Sequence, residues 1–112
     1  MHRLTIPYHL SASASAEGDV TLWTVQGAKK FRIDEIIVRF PSGTAGQLKI
    51  YLKYGAGRRW PTGRELVGDS ATLKFKADLE YQGGDDIVLH YKNESTTDTL
   101  ECYIYLCGTL ID

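Results

Sequence analysis

Three histidines, two cysteines and a few adjacent carboxylates are the residues of this 112-residue chain best able to do chemistry. His9 and His90 sit inside runs that alternate apolar and polar residues, and His2 lies at the start of the chain. No Gly-x-Ser-x-Gly, His-Glu-x-x-His or Cys-x-x-Cys occurs, so no nucleophile elbow, zinc helix or redox pair is encoded locally. Asp34-Glu35 and Asp85-Asp86 are carboxylate pairs, but neighbours on a strand point to opposite faces, so neither pair converges on one substrate. The expectation is therefore a protein that is not an enzyme. Asp78, Glu80, Asp85 and Asp86 gather around Gly83-Gly84 and offer oxygen ligands of the kind calcium takes. Their spacing is not that of an EF-hand, and an ordinary acidic turn is preferred. Neither a metal nor another cofactor is expected. Cys102 and Cys107 lie five residues apart, which on a strand separates their Cα atoms by ~17 Å. A disulfide needs less than ~7 Å, so both are read as free thiols of a reducing compartment.

Binding residues are easier to find. The loop Gly55–Gly63 carries Arg58, Arg59 and Trp60, residue types common at interface hot spots. Arg58 and Arg59 can meet a phosphate, a carboxylate or a partner's surface. Equally, Trp60 can fold back to cap the core and leave the arginines solvated. The loop is not a P-loop, because no Gly-Lys-Ser/Thr follows at the right distance. Tyr51, Tyr103 and Tyr105 fall on faces opposite the apolar stripes of their strands. Three settings suit them: stacking on sugar rings, burial under a neighbouring subunit, or cover by sheet edges and loops. Nucleic acid is not expected as a partner, since the pI is 6.3 and the basic residues follow no known motif.

These residues have to be held by strands. Period-two alternation marks Leu4 to Leu10, Asp19 to Val25, Lys30 to Phe40, Gln47 to Tyr54, Ala71 to Ala77 and two C-terminal strands within Asp86 to Ile111. Lys30 to Phe40 changes phase at Asp34-Glu35, which predicts a β-bulge or a bend between sheets. Arg58 to Trp60 reads as a short extended piece and Arg64 to Val67 as a short edge strand. Asp78 to Gln82 is ambiguous, with room for a helical turn over Ala77 to Tyr81. The polar stretch from Asn93 to Thr97 reads as a hairpin loop joining the last two strands, which are expected in the middle of one sheet. Seven to nine strands with frequent turns predict an all-β, antiparallel two-sheet β-sandwich, jelly-roll-like or Greek-key, as a single domain over residues 1–112. An immunoglobulin topology is disfavoured because both cysteines share one strand.

No segment approaches the ~20 apolar residues of a membrane span. Ala14-Ser15-Ala16 resembles a signal-peptidase site, but Pro7, Tyr8 and His9 interrupt the stretch that would have to be hydrophobic. Asn93-Glu94-Ser95 is accordingly read as a turn and not as a glycosylation site. Net charge is −1, yet residues up to Arg64 hold ten Lys/Arg against four Asp/Glu, and the remainder three against ten. That asymmetry predicts a polar surface able to orient association.

In the C-terminal third, Tyr81-Gln82-Gly83-Gly84-Asp85-Asp86-Ile87-Val88-Leu89 is followed by Tyr91-Lys92-Asn93 and by Cys102-Tyr103-Ile104-Tyr105-Leu106-Cys107-Gly108. With Ile36 to Gly43 and Leu48 to Leu52, this pattern resembles small jelly-roll proteins of phage and virus particles. The resemblance implies a capsid-decoration, tail or spike role, made in the host cytoplasm and carried in the virion. It also implies self-association, with a trimer favoured, and binding to a larger capsid or tail assembly. A carbohydrate-binding module using Tyr51, Trp60, Tyr103 and Tyr105 is the second expectation, with a glycan as partner, and a small enzyme the third.

Overall fold

The computed structural model describes residues 2–54 and 57–112, and these form eight strands: β1 (His2–Ala12), β2 (Glu17–Thr24), β3 (Lys30–Phe40), β4 (Leu48–Tyr54), β5 (Arg58–Trp60), β6 (Ala71–Gln82), β7 (Asp86–Asn93) and β8 (Leu100–Ile111). They build two antiparallel four-stranded sheets, β1-β8-β3-β6 and β2-β7-β4-β5. One rule relates the pairings: β1 with β8, β2 with β7, β3 with β6, β4 with β5. The chain is thus a single antiparallel ribbon, turned at the β4–β5 connection and rolled so that successive rungs enter alternate sheets. The β3–β8 and β4–β7 ladders close the roll. Among sandwich topologies this is the jelly roll.

Alternation explains the faces. Along β8 the even-numbered residues Leu100, Cys102, Ile104, Leu106 and Leu110 are buried, and the odd-numbered ones are half-buried on the outside. They meet Leu48, Ile50, Leu52, Ile87 and Leu89 of the opposite sheet in one core. Leu73 and Phe75, the inward apolar residues of the Ala71–Ala77 alternation, are only half-buried, because β6 is the edge strand of its sheet. Cys102 is fully buried, and its thiol is pushed up to about 12, which leaves it inert as a nucleophile.

Two expectations need correction. The residues from Ala77 to Tyr81 form no helical turn, because β6 continues as one strand to Gln82. The last two strands form no hairpin: β7 and β8 lie in different sheets, each between two neighbours. Asn93 accounts for this. Its buried side-chain amide donates to the carbonyls of Ala12, Ser13 and Asp98 at 3.0, 3.1 and 2.9 Å, and its Oδ1 accepts the Ser95 N–H at 2.9 Å. The segment after β7 is thereby docked on the β1–β2 loop and carries the chain across the sandwich.

The phase change in β3 is a bulge. Ile33 pairs with Gly108 and Glu35 with Cys107, so Asp34 is one residue more than β8 supplies. Ile33 and Ile36 both point inward, and Asp34 and Glu35 share the outer side, not opposite faces as regular alternation predicts. Asp34 uses that position to bind Arg3 of β1. The bulge also brings the Arg32 carbonyl oxygen to 2.2 Å from where a Cβ on Gly108 would lie, too close for any side chain. Gly108→Ala is expected to lower stability by at least ~1–3 kcal/mol, measured by urea unfolding. Gly27→Ala, whose added methyl meets open space, is expected to shift it by no more than ~0.5 kcal/mol. Equal midpoints for the two variants would mean that β8 does not lie against β3 in this register.

Candidate binding surfaces

The outer face of each sheet centres on a tyrosine held between a histidine and an arginine. In the first sheet the β-ladder sets His9, Tyr103 and Arg39 side by side on β1, β8 and β3. The His9 and Tyr103 rings stack with centroids 4.6 Å apart and planes 8° from parallel, and the Arg39 guanidinium carbon lies 5.3 Å from the Tyr103 centroid. In the second sheet His90 of β7 stacks on Tyr51 of β4 at 4.7 Å, and Arg59 of β5 covers the same ring at 4.7 Å. Because β4 lies between β7 and β5, and β8 between β1 and β3, the two partners approach each tyrosine from opposite sides. Such cation–π contacts contribute about 0.5–1 kcal/mol each at exposed sites.

Carboxylates extend the second stack. His90 Nδ1 lies 2.8 Å from Asp19 Oδ1 and Nε2 lies 3.1 Å from Glu17 Oε2, while Lys53 Nζ donates to Asp19 Oδ2 at 2.8 Å. Both imidazole nitrogens are engaged by carboxylates. His90 is thus a structural link across three strands. His9 has a looser ionic neighbour, Glu101, at 3.5 Å.

The six residues singled out from the sequence separate onto three surfaces. Tyr51 and Arg59 share the stack just described, and with Arg58, Gly57 and Lys53 they line an open hollow of about 330 Å³. Arg58 is exposed at its rim. Trp60 turns the other way and packs edge-on against Phe75 at 5.4 Å, partly buried against the core. Tyr103 and Tyr105 lie on the opposite sheet, with Tyr105 between Pro7 and Ile37 in the ladder. The structure therefore forms no single platform from Tyr51, Trp60, Tyr103 and Tyr105. Gly55 and Ala56 of the same loop lie outside the described residues. The stacking partners His9, Arg39 and His90, and the carboxylates Glu17 and Asp19 beside His90, escape sequence reasoning, which assigns faces but not cross-strand neighbours.

Charge segregation along the chain is partly offset in space. The roll sets the basic first half against the acidic second half: Lys30 lies 3.5 Å from Glu80, Arg32 3.1 Å from Asp78, Lys49 2.9 Å from Glu94 and Lys29 3.0 Å from Asp112. The acidic turn serves local bonds. Asp85 accepts the Gln82 N–H at 2.8 Å, and Asp86 accepts the Thr24 hydroxyl at 2.6 Å. Among the described residues no group of three or more His, Cys, Asp or Glu side chains is arranged to hold a metal ion. No protein-family model and no curated protein sequence matches the chain.

Asp19 offers a direct check on the second stack. The hydrogen bond from Lys53, and after it the one from His90, hold its carboxyl below the usual range. A depressed carboxyl contributes stability that is complete above its unfolded value of about 3.9 and is lost as pH falls through the folded value. Between about pH 5 and pH 2 the wild type is therefore expected to lose more stability than Asp19→Asn. The Lys53 part of the difference should shrink in salt, since Lys53 and Asp19 are exposed to solvent. Identical acid slopes in thermal unfolding would mean that the Asp19 contacts are not formed in solution.

Proposed function

We propose that this chain is a structural or accessory protein of a virus or phage particle, a decoration, tail or spike component. It acts by self-association and by binding a larger protein assembly, without catalysis. Support comes from the complete eight-strand roll, an architecture shared by viral capsid domains and lectins. Fold alone does not separate those two uses. The observation that carries the choice is the covering of Tyr51 and Tyr103 on both sides by His and Arg. A sugar ring stacks on an open aromatic face, and these two offer none. They instead belong to Tyr- and Arg-bearing sheet faces of the composition that protein interfaces favour. The charge asymmetry lends a trimer little support, because part of it is paired within the molecule.

Tyr105 is the observation that favours carbohydrate binding, as an outward tyrosine with no ring stacked on it among the described residues. Particles produced by the virus or phage encoding the chain are expected to contain it in fixed stoichiometry by quantitative mass spectrometry. Abundance in infected cells with absence from particles would overturn the assembly role. Binding on a glycan array that Tyr105→Ala abolishes would favour the carbohydrate reading instead.

A further inference from the structure

The geometry points to β6 as a self-pairing edge, through which two copies of this chain join antiparallel about a two-fold axis at Ala77. This names the partner and contact for the self-association proposed above and rests on that reading. Strand β6 runs twelve residues from Ala71 to Gln82 and, among the described residues, pairs only with β3, so its other side presents backbone groups without a strand partner there. Against β3 it carries one residue more around Ala77 and Asp78. The alternation of its own side chains nevertheless passes through that point without a break.

The outward residues are Thr72, Lys74, Lys76, Asp78, Glu80 and Gln82. An antiparallel copy centred on Ala77 sets Lys74 against Glu80, Lys76 against Asp78 and Thr72 against Gln82. On the inner side the same register sets Leu73 against Tyr81 and Phe75 against Leu79. Neighbouring registers fail. A slip of one residue opposes outward and inward side chains. Centring on Lys76 sets that lysine against its own copy, and centring on Asp78 sets two aspartates together. Ala77 is the centre that makes all four charged contacts attractive.

Two further observations fit. Lys74 and Lys76 form no ion pair among the described residues, although Lys76 lies opposite Glu35 in the β3 ladder. The Asp78 and Glu80 side chains are 77% and 42% exposed despite their bonds to Arg32 and Lys30, so each can accept a second cation. Leu73, Phe75 and Ala77 are half-buried at this edge, and the most exposed large apolar residue, Val67, follows Leu66, which bridges Ile50 on the same side of the sandwich. Pairing extends cover over that side and joins two four-stranded sheets into one of eight. A two-fold contact closes after two subunits, and the lysines that deter unrelated strands are matched only by this strand's own carboxylates.

Sedimentation over a range of concentrations tests this with complementary charge reversals. Wild type is expected to reach a dimer. Lys74→Glu with Lys76→Glu makes the outward row acidic, and Asp78→Lys with Glu80→Lys makes it basic, so each double variant alone is expected to lose the dimer. An equimolar mixture of the two is expected to restore it as a heterodimer, which also shows that both variants fold. Wild type that stays monomeric at high concentration would overturn the self-association reading and the contact with it. Wild type that oligomerises equally well in both double variants would overturn the β6 contact alone.

Discussion

The bulge at Asp34 and Glu35 governs the first sheet. β3 must bury Phe31 and Ile33 on one side of it and Ile36, Val38 and Phe40 on the other, although the two groups have opposite parity. One extra residue against β8 resolves the conflict, and the close approach it creates at the Arg32 carbonyl leaves room only for glycine at position 108. Downstream of this point the register aligns Arg39 with Tyr103, and Tyr103 with His9. The same offset appears on the other side, where β6 supplies the additional residue and keeps its own pleat regular. The stack on the outer face and the geometry of the free edge both follow from how β3 reconciles its two apolar groups.

The roll is the second constraint. Pairing first strand with last and third with sixth places distant parts of the chain side by side. The basic β3 meets the acidic end of β6, and Lys49 of β4 meets Glu94 after β7. Part of the charge of the basic half is thus paired with the acidic half. Exposed pairs of this kind contribute little stability individually. Their larger effect is to determine which charges remain for a partner, and in β6 these are the two lysines.

Period-two alternation made most strand positions, the bulge and the outward tyrosines legible in the sequence. It left the partners of each strand illegible, because a period sets the face of a side chain and not the strand beside it. The supposed C-terminal hairpin is the clearest case. The turn-like Asn93 to Thr97 suits a hairpin by composition, whereas the decisive contacts of Asn93 are with Ala12 and Ser13, some eighty residues away. Strand β6 beyond Ala77 was obscured by its charged outward residues, whose alternation with Leu79 and Tyr81 becomes plain only beside β3. Trp60 and Arg59 are adjacent in sequence but serve the core and the outer face respectively, as neighbours on a strand must.

The central claim is that β7 and β8 are consecutive strands of opposite sheets. Backbone nuclear Overhauser contacts measured on isotope-labelled protein test it most directly. Ile104 should show cross-strand contacts with Tyr8 and Val38, and Leu89 with Val20 and Leu52. Cross-strand contacts between Leu89 and residues 100–102, as a C-terminal hairpin would produce, would contradict the roll and the surfaces built on it.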